Sequence, residues 1–172
     1  RRRLELAYSL MYTLPGTPVL RYGDELGMGD NLDLPERNCA RTPMQWSTEP
    51  HAGFTEGDKP CSPVIDKGPY GYDHVNAAKQ RRDPNSMLNW TERIIRMRKE
   101  VPEIGWGDFQ AVSVRDASVL VIRYDWNNSV LFVHNLDERP REVSFRVGLP
   151  GESGKLLVNL LTENHSRADK RG

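Results

Sequence analysis

In the opening stretch RRRLELAYSLMYT, Leu4, Ala7, Tyr8 and Met11 recur every three or four residues while the arginines fall between them. That period predicts the end of an amphipathic helix. Leu14-Pro15-Gly16-Thr17-Pro18 breaks it, and Val19-Leu20-Arg21-Tyr22 follows as a short apolar run of the kind used for buried parallel strands. Helix, tight turn and strand make the second half of an α/β repeat. From Gly23 to Gln80 neither helical nor strand period persists, and Gly, Pro, Asp and Asn are frequent. Irregular stretches beyond about 12–15 residues are uncommon in compact domains and usually serve as lids or binding loops. Asp83-Pro84 then reads as a cap followed by proline in a first helical turn. A helix over 83–100 is expected, with Met87, Trp90, Ile94 and Met97 on one stripe and Pro102 beyond its end.

The last third changes period. Phe109–Val114, Val119–Trp126, Val130–Leu136, Val143–Val147 and Leu156–Leu161 are short β-rich runs, and Asp116-Ala117, Asn127-Asn128 and Asp137-Glu138-Arg139-Pro140 separate several of them as turns. This spacing predicts an antiparallel sandwich. Two pieces are therefore expected, the tail of an α/β domain over 1–106 and a small all-β domain over 107–172, joined near Gly105-Trp106-Gly107.

Composition narrows the function. The 172 residues carry 24 Lys+Arg and 24 Asp+Glu, so no global field recruits nucleic acid or an anionic membrane. Arg1-Arg2-Arg3 and Arg81-Arg82 read as solvated surface. Cys39 and Cys61 are too far apart for a CxxC motif, and suit a reducing compartment such as the cytoplasm. No apolar run approaches the ~18 residues of a membrane span. Since the chain opens with Arg inside a helical pattern, residue 1 is expected to be an interior point of a longer protein.

Local chemistry is sparse. Asp24 and Glu25 are adjacent, and neighbours on a strand point to opposite faces, so they form no acid/nucleophile pair. No histidine lies at metal-ligand spacing from another or from a cysteine, and no GxSxG, P-loop or GxGxxG motif occurs. Phe54, Tyr70, Tyr72 and His74 could line a sugar site, though aromatics in a loop more often pin it to its domain. Trp46 and Trp90 are assigned to packing. In ERNCARTPMQW (36–46), Arg41 sits before Thr42-Pro43 and close to Met44 and Trp46; an arginine there is either paired or reaching for an oxygen-rich ligand.

LPGTPVLRYGDELGMGD at 14–30, ERNCARTPMQW at 36–46, GPYGYDHVNAAKQRRDPNSMLNW at 68–90 and the all-β tail together resemble glycoside hydrolase family 13. ERNCARTPMQW and DPNSMLNWTERIIRMRKE lean toward members that interconvert maltose and trehalose. The resemblance implies the C-terminal part of a (β/α)8 barrel followed by a β-sandwich: residues 1–13 as the seventh helix, 18–23 as the eighth strand, 24–82 as the long loop after it, 83–100 as the eighth helix, and 107–172 as most of the sandwich. Barrel active sites lie at the C-terminal ends of the strands, which puts the long loop on the functional face. Arg41 is then implied as a substrate-binding residue that pairs with an aspartate from early in the barrel and closes a glucose pocket around the far hydroxyls. Glu36 and Arg37 would shape its loop.

The retaining mechanism needs two carboxylates roughly 5 Å apart, and the resemblance places these, and a third stabilising aspartate, upstream of residue 1. The chain alone is therefore expected to be inactive, with no catalytic residue of its own, no organic cofactor and no assigned metal site. Its expected partner is a small α-glucoside such as maltose or trehalose, with no nucleic acid or membrane, and an oligomeric parent is compatible with the sequence. Two alternatives stay open: a hydrolytic α-glucosidase or amylase of the same family, and a noncatalytic carbohydrate-binding or interaction protein.

Overall fold

A computed structural model describes residues 1–146, 156–161 and 165–167. The helices are α1 (Arg2–Thr13), α2 (Ala77–Arg82), α3 (Met87–Glu100) and α4 (Glu103–Trp106), and the strands are β1 (Asp108–Val112), β2 (Val119–Asp125), β3 (Ser129–Asn135), β4 (Leu156–Val158) and β5 (His165–Arg167). The chain divides into two compact units, one of Arg1–Glu5 with Val19–Glu92 and the other of Leu6–Pro18 with Arg93–Gly172.

The first unit is mostly irregular backbone, punctuated by 3-10 turns at Asp24–Leu26, Glu36–Ala40 and Pro50–Gly53. Leu26, Met44 and Ala77 form a buried cluster in it, with Met28, Val75 and Leu88 packed against them, and Ala52, Ile65 and Met87 are buried as well. The polar groups of so much irregular backbone also need partners, and side chains bonding to backbone supply several of them. Gln80 is one such clamp. Its Nε2 donates to the Leu26 carbonyl at 2.7 Å and its Oε1 accepts from the Leu88 N–H at 2.9 Å. The Gln80 carbonyl in turn accepts from Ser86 Oγ and Asn89 Nδ2.

Three expectations fail in this unit. Val19–Tyr22 is not a strand, and Val19 is 80% exposed. A parallel strand exists only through hydrogen bonds to a neighbour, and every strand pair among the described residues is antiparallel and C-terminal to it. The long loop is not wholly irregular, for Asn76 accepts from the Lys79 N–H at 2.8 Å and caps α2. The following helix begins at Met87 rather than Asp83. Asp83 Oδ1 accepts from Asn85 N–H, a turn that holds Pro84 outside the helix, and Ser86 Oγ takes over as the cap by accepting from Asn89 N–H. The stripe along α3 is largely as expected: Met87, Ile94 and Met97 are buried, Thr91 joins them, and Trp90 is half-buried.

In the second unit β1, β2 and β3 form an antiparallel sheet in sequence order. The near-continuous apolar run VLVIRY puts β2 in the centre, where Val121, Ile122 and Tyr124 are at most 1% exposed. Phe109 and Phe132 flank Tyr124 at centroid distances of 5.5 and 6.2 Å, in tilted and edge-on geometry. The Tyr124 hydroxyl donates to the Thr13 carbonyl at 2.8 Å, and Arg98 donates to the carbonyls of Tyr12 and Gly16. Both side chains thus satisfy carbonyls that the end of α1 leaves open. Where a simple joint was expected at 105–107 the structure has α4, whose buried Glu103 accepts from the N–H and side-chain amide of Asn128 in the β2–β3 turn.

Leu156–Val158 pairs with His165–Arg167 as a separate two-stranded ladder, shorter than the expected run to Leu161. Residues 143–146 of the expected fourth run carry no strand, and Val147 lies outside the described residues. Trp106 and Trp126 are 77% and 53% exposed.

His134 on β3 supplies a pH prediction. Thr13 Oγ1 donates to the Ser9 carbonyl at 2.8 Å, so the 2.9 Å contact between Thr13 Oγ1 and His134 Nε2 assigns the proton to Nε2. Nδ1 faces Ser9 Oγ at 3.4 Å, and burial lowers the imidazole below its usual pKa of 6.5. Below that pH the unfolded chain takes up a proton that the folded chain refuses, so this contribution to stability is complete above pH 6.5 and lost progressively on acidification. Thermal melts between pH 7.5 and 5 should show this loss, and His134→Gln should flatten it; an unchanged slope would remove His134 as its source.

Candidate functional site

Arg41 follows the 3-10 turn at Glu36–Ala40, closing it with a 3.0 Å bond from its N–H to the Asn38 carbonyl. Its side chain is exposed and makes no hydrogen bond or ion pair among the described residues. The backbone just beyond it is held firmly. Thr42, Met44 and Gln45 are at most 5% exposed, and Pro43 is fully buried. The Tyr22 hydroxyl donates to the Thr42 carbonyl at 2.9 Å. Gln45 Nε2 donates to the carbonyls of Val75 and Tyr70 at 2.5 and 3.1 Å, while the Gln45 and Trp46 carbonyls accept from Ala77 and Ala78. A free guanidinium therefore projects from a fixed platform, an arrangement suited to binding a carboxylate and sugar hydroxyls with one planar fork.

The other sequence candidates separate. Tyr70 is 52% exposed, and its ring lies so close to Gly29 that any Cβ there would meet it at 2.6 Å; Gly29 is a close-approach glycine of this loop. Phe54 is 39% exposed, Tyr72 half-buried and His74 exposed. Trp46, expected to pack, is 45% exposed, because the segment buries Met44 and Gln45 instead. Asp24 and Glu25 lie on a 3-10 turn rather than a strand, and accept from the N–H groups of Arg21 and Gly23 at 3.0 and 2.7 Å. Their work is to shape that turn. Cys39 Sγ donates to the Glu36 carbonyl, and both cysteines are free. No three His, Cys, Asp or Glu side chains among the described residues could hold a metal ion.

Two features escaped sequence reasoning. Gln45 is the clamp of the platform, and its signal was a polar residue between Met44 and Trp46. His51 (φ 57°), Ala52 (φ 60°) and Gly53 (φ 66°) are left-handed in succession, at a cost of roughly 1–2 kcal/mol for each non-glycine residue. The Ala52 carbonyl accepts from both Trp46 and Ser47 N–H, which holds the strained turn shut; no sequence signal marks it.

The match at the level of class is to residues 1–107, by the family model described as alpha amylase, catalytic domain. The chain belongs to that family, glycoside hydrolase family 13. Within the family it is similar to the trehalose synthase of Thermus thermophilus, 37% identical over 167 residues that make up 95% of this chain and 17% of that protein. The trehalose synthase of Pimelobacter sp. strain R48 is 36% identical, over 92% of this chain and 29% of the relative. Among solved structures, the trehalulose synthase of Pseudomonas mesoacidophila MX-45 superposes with a TM-score of 0.68 at 26% identity, over 80% of this chain and 30% of that one. The chain spans less than a third of the length of these relatives. No helix among the described residues is long and apolar enough to cross a membrane.

Proposed function

We propose that this chain is the C-terminal part of a retaining α-glucoside enzyme that isomerises maltose and trehalose by moving a glucosyl group within one bound pair of sugars. Residues 1–106 would complete the catalytic barrel and 107–172 would form most of its β-sandwich. The reacting carboxylates would come from the rest of the protein. Arg41 would bind the non-reducing glucose, with the 24–82 loop helping to exclude water so that the freed glucose is recaptured rather than replaced.

The observation that carries the proposal is the unpartnered Arg41 guanidinium on a buried, hydrogen-bonded backbone. An arginine that merely pinned its loop would be paired within it. Similarity to two trehalose synthases supports the isomerase reading over the hydrolytic one.

In the protein as its gene encodes it, Arg41→Ala should lower kcat/KM on maltose by about 10–100-fold, the worth of one or two charge-assisted hydrogen bonds. Arg41→Lys should recover little, having lost the fork. Wild-type kinetics in both variants would end the assignment of Arg41. Glucose instead of trehalose as the main product would establish the hydrolase.

A further inference from the structure

Thr42, the residue after Arg41, is gripped by a hydrogen bond at one point among the described residues. The Tyr22 hydroxyl donates to its carbonyl at 2.9 Å across 20 residues of chain. Pro43 follows, so the Thr42–Pro43 peptide has no N–H with which to anchor itself. Thr42 Oγ1 is buried without a partner among the described residues. Proline also confines the residue before it to extended backbone. Thr42-Pro43 is thus a short stiff piece, and the Tyr22 bond fixes where that piece sits.

The other end of the link is anchored as well. On either side of Tyr22, the N–H groups of Arg21 and Gly23 donate to the carboxylates of Asp24 and Glu25. The Gly23 carbonyl accepts from Leu26 and Met28 N–H at 3.1 and 3.0 Å, and Leu26 is 2% exposed. Gly23 itself has φ 92°, and a Cβ there would stand 2.5 Å from Met28 Sδ. The tyrosine therefore springs from a turn that cannot shift easily. Its own ring is 52% exposed. A hydroxyl so accessible adds little to folding, because water takes over the bond when it is lost. Water carries no covalent tether to the turn, so what the phenol supplies is position.

We infer that Tyr22 is a positioning residue for Arg41, tying the backbone beside the arginine to the turn at 21–28 so that the guanidinium is held where substrate meets it. The inference rests on the substrate role proposed for Arg41 above. Without the tether Arg41 spends part of its time misplaced, and apparent affinity falls by the fraction that remains competent. An arginine that grips the far hydroxyls of the sugar holds ground state and transition state alike, so the loss falls on KM and spares kcat.

The test is a double-mutant cycle on maltose in the gene-encoded protein, with Tyr22→Phe, Arg41→Ala and the two together. Tyr22→Phe, which removes one oxygen and keeps the ring, should raise KM by about 3–10-fold, the worth of one neutral hydrogen bond, with kcat held within about twofold. In the Arg41→Ala background the same change should alter KM by less than about twofold, since the group it places is gone. The urea midpoint of Tyr22→Phe should stay close to the parent's. A lower midpoint with KM unchanged well below the transition would make the tyrosine structural and overturn the inference. Equal losses in both backgrounds would overturn it too, by showing that Tyr22 acts elsewhere. If Arg41→Ala raises KM and Tyr22→Phe does not, the positioning role falls and Arg41 keeps its own. Wild-type kinetics in Arg41→Ala would remove the substrate role and the positioning role with it.

Discussion

Gln45→Ala should destabilise the protein by about 3–4 kcal/mol, read as a lower denaturation midpoint in urea followed by far-ultraviolet circular dichroism. Gln45 is fully buried and its amide donates to the carbonyls of Tyr70 and Val75, 25 and 30 residues further along the chain. Alanine leaves both carbonyls without that donor and opens a void beneath Met44 and the Arg41 platform, so desolvation and cavity terms add. Gln45→Glu is the sharper comparison. It nearly preserves volume, replaces a donor by an ionised acceptor facing two carbonyls, and should cost at least as much. If alanine costs under 1 kcal/mol, the clamp does not organise the loop, and the rigid presentation of Arg41 loses its basis.

Arg123→Ala should cost about 2–3 kcal/mol in the same measurement. Arg123 is 2% exposed on the central strand, with its Nε 2.6 Å from Asp125 Oδ2 and its terminal nitrogen 3.1 Å from Ser129 Oγ, which in turn donates to Asp125 Oδ1 at 2.6 Å. The Asp125 side chain is one-third exposed, so water would compensate part of its loss and the cost sits below that of a fully buried pair. The hydrogen bond from Arg123 holds the Asp125 carboxyl below its usual 3.8. The pair therefore stabilises the fold above that pH and fades as acid protonates the folded carboxylate. Arg123→Met, which restores apolar bulk without charge, should recover part of the stability. An alanine variant as stable as the parent would show the triad to be dispensable.

The parts of the fold legible in the sequence are those whose cause is local. β1, β2 and β3 follow from β-rich runs interrupted at Asp116-Ala117 and Asn127-Asn128, and α1 follows from the spacing of Leu4, Tyr8 and Met11. The segment Val19–Tyr22 misled because its residue types describe a buried strand while its partner strand is a tertiary fact. The start of α3 turned on a competition between two adequate caps, Asp83 and Ser86, which hydrogen bonds around Asn85 and Asn89 decide. The helix at Ala77 was readable in principle, since Asn76 precedes a run of good helix formers. At the site, Arg41 stood out because a charged fork amid residues destined for burial needs a reason. The left-handed turn at residues 51–53 did not, because positive φ at His51 and Ala52 is held by two hydrogen bonds to the Ala52 carbonyl and contradicts residue preference.

The exposure of the indole rings bears on how all of this would be observed. Trp106 and Trp126 stand largely in water, Trp46 is 45% exposed and Trp90 is half-buried, so their combined emission in the folded protein lies close to that of the denatured chain. Unfolding should therefore produce a small red shift, and a loss of tertiary structure could pass almost unseen by intrinsic fluorescence. The same exposure makes Trp46, whose N–H bonds to the Ala52 carbonyl of the left-handed turn, a natural reporter of quenching when solute reaches that face.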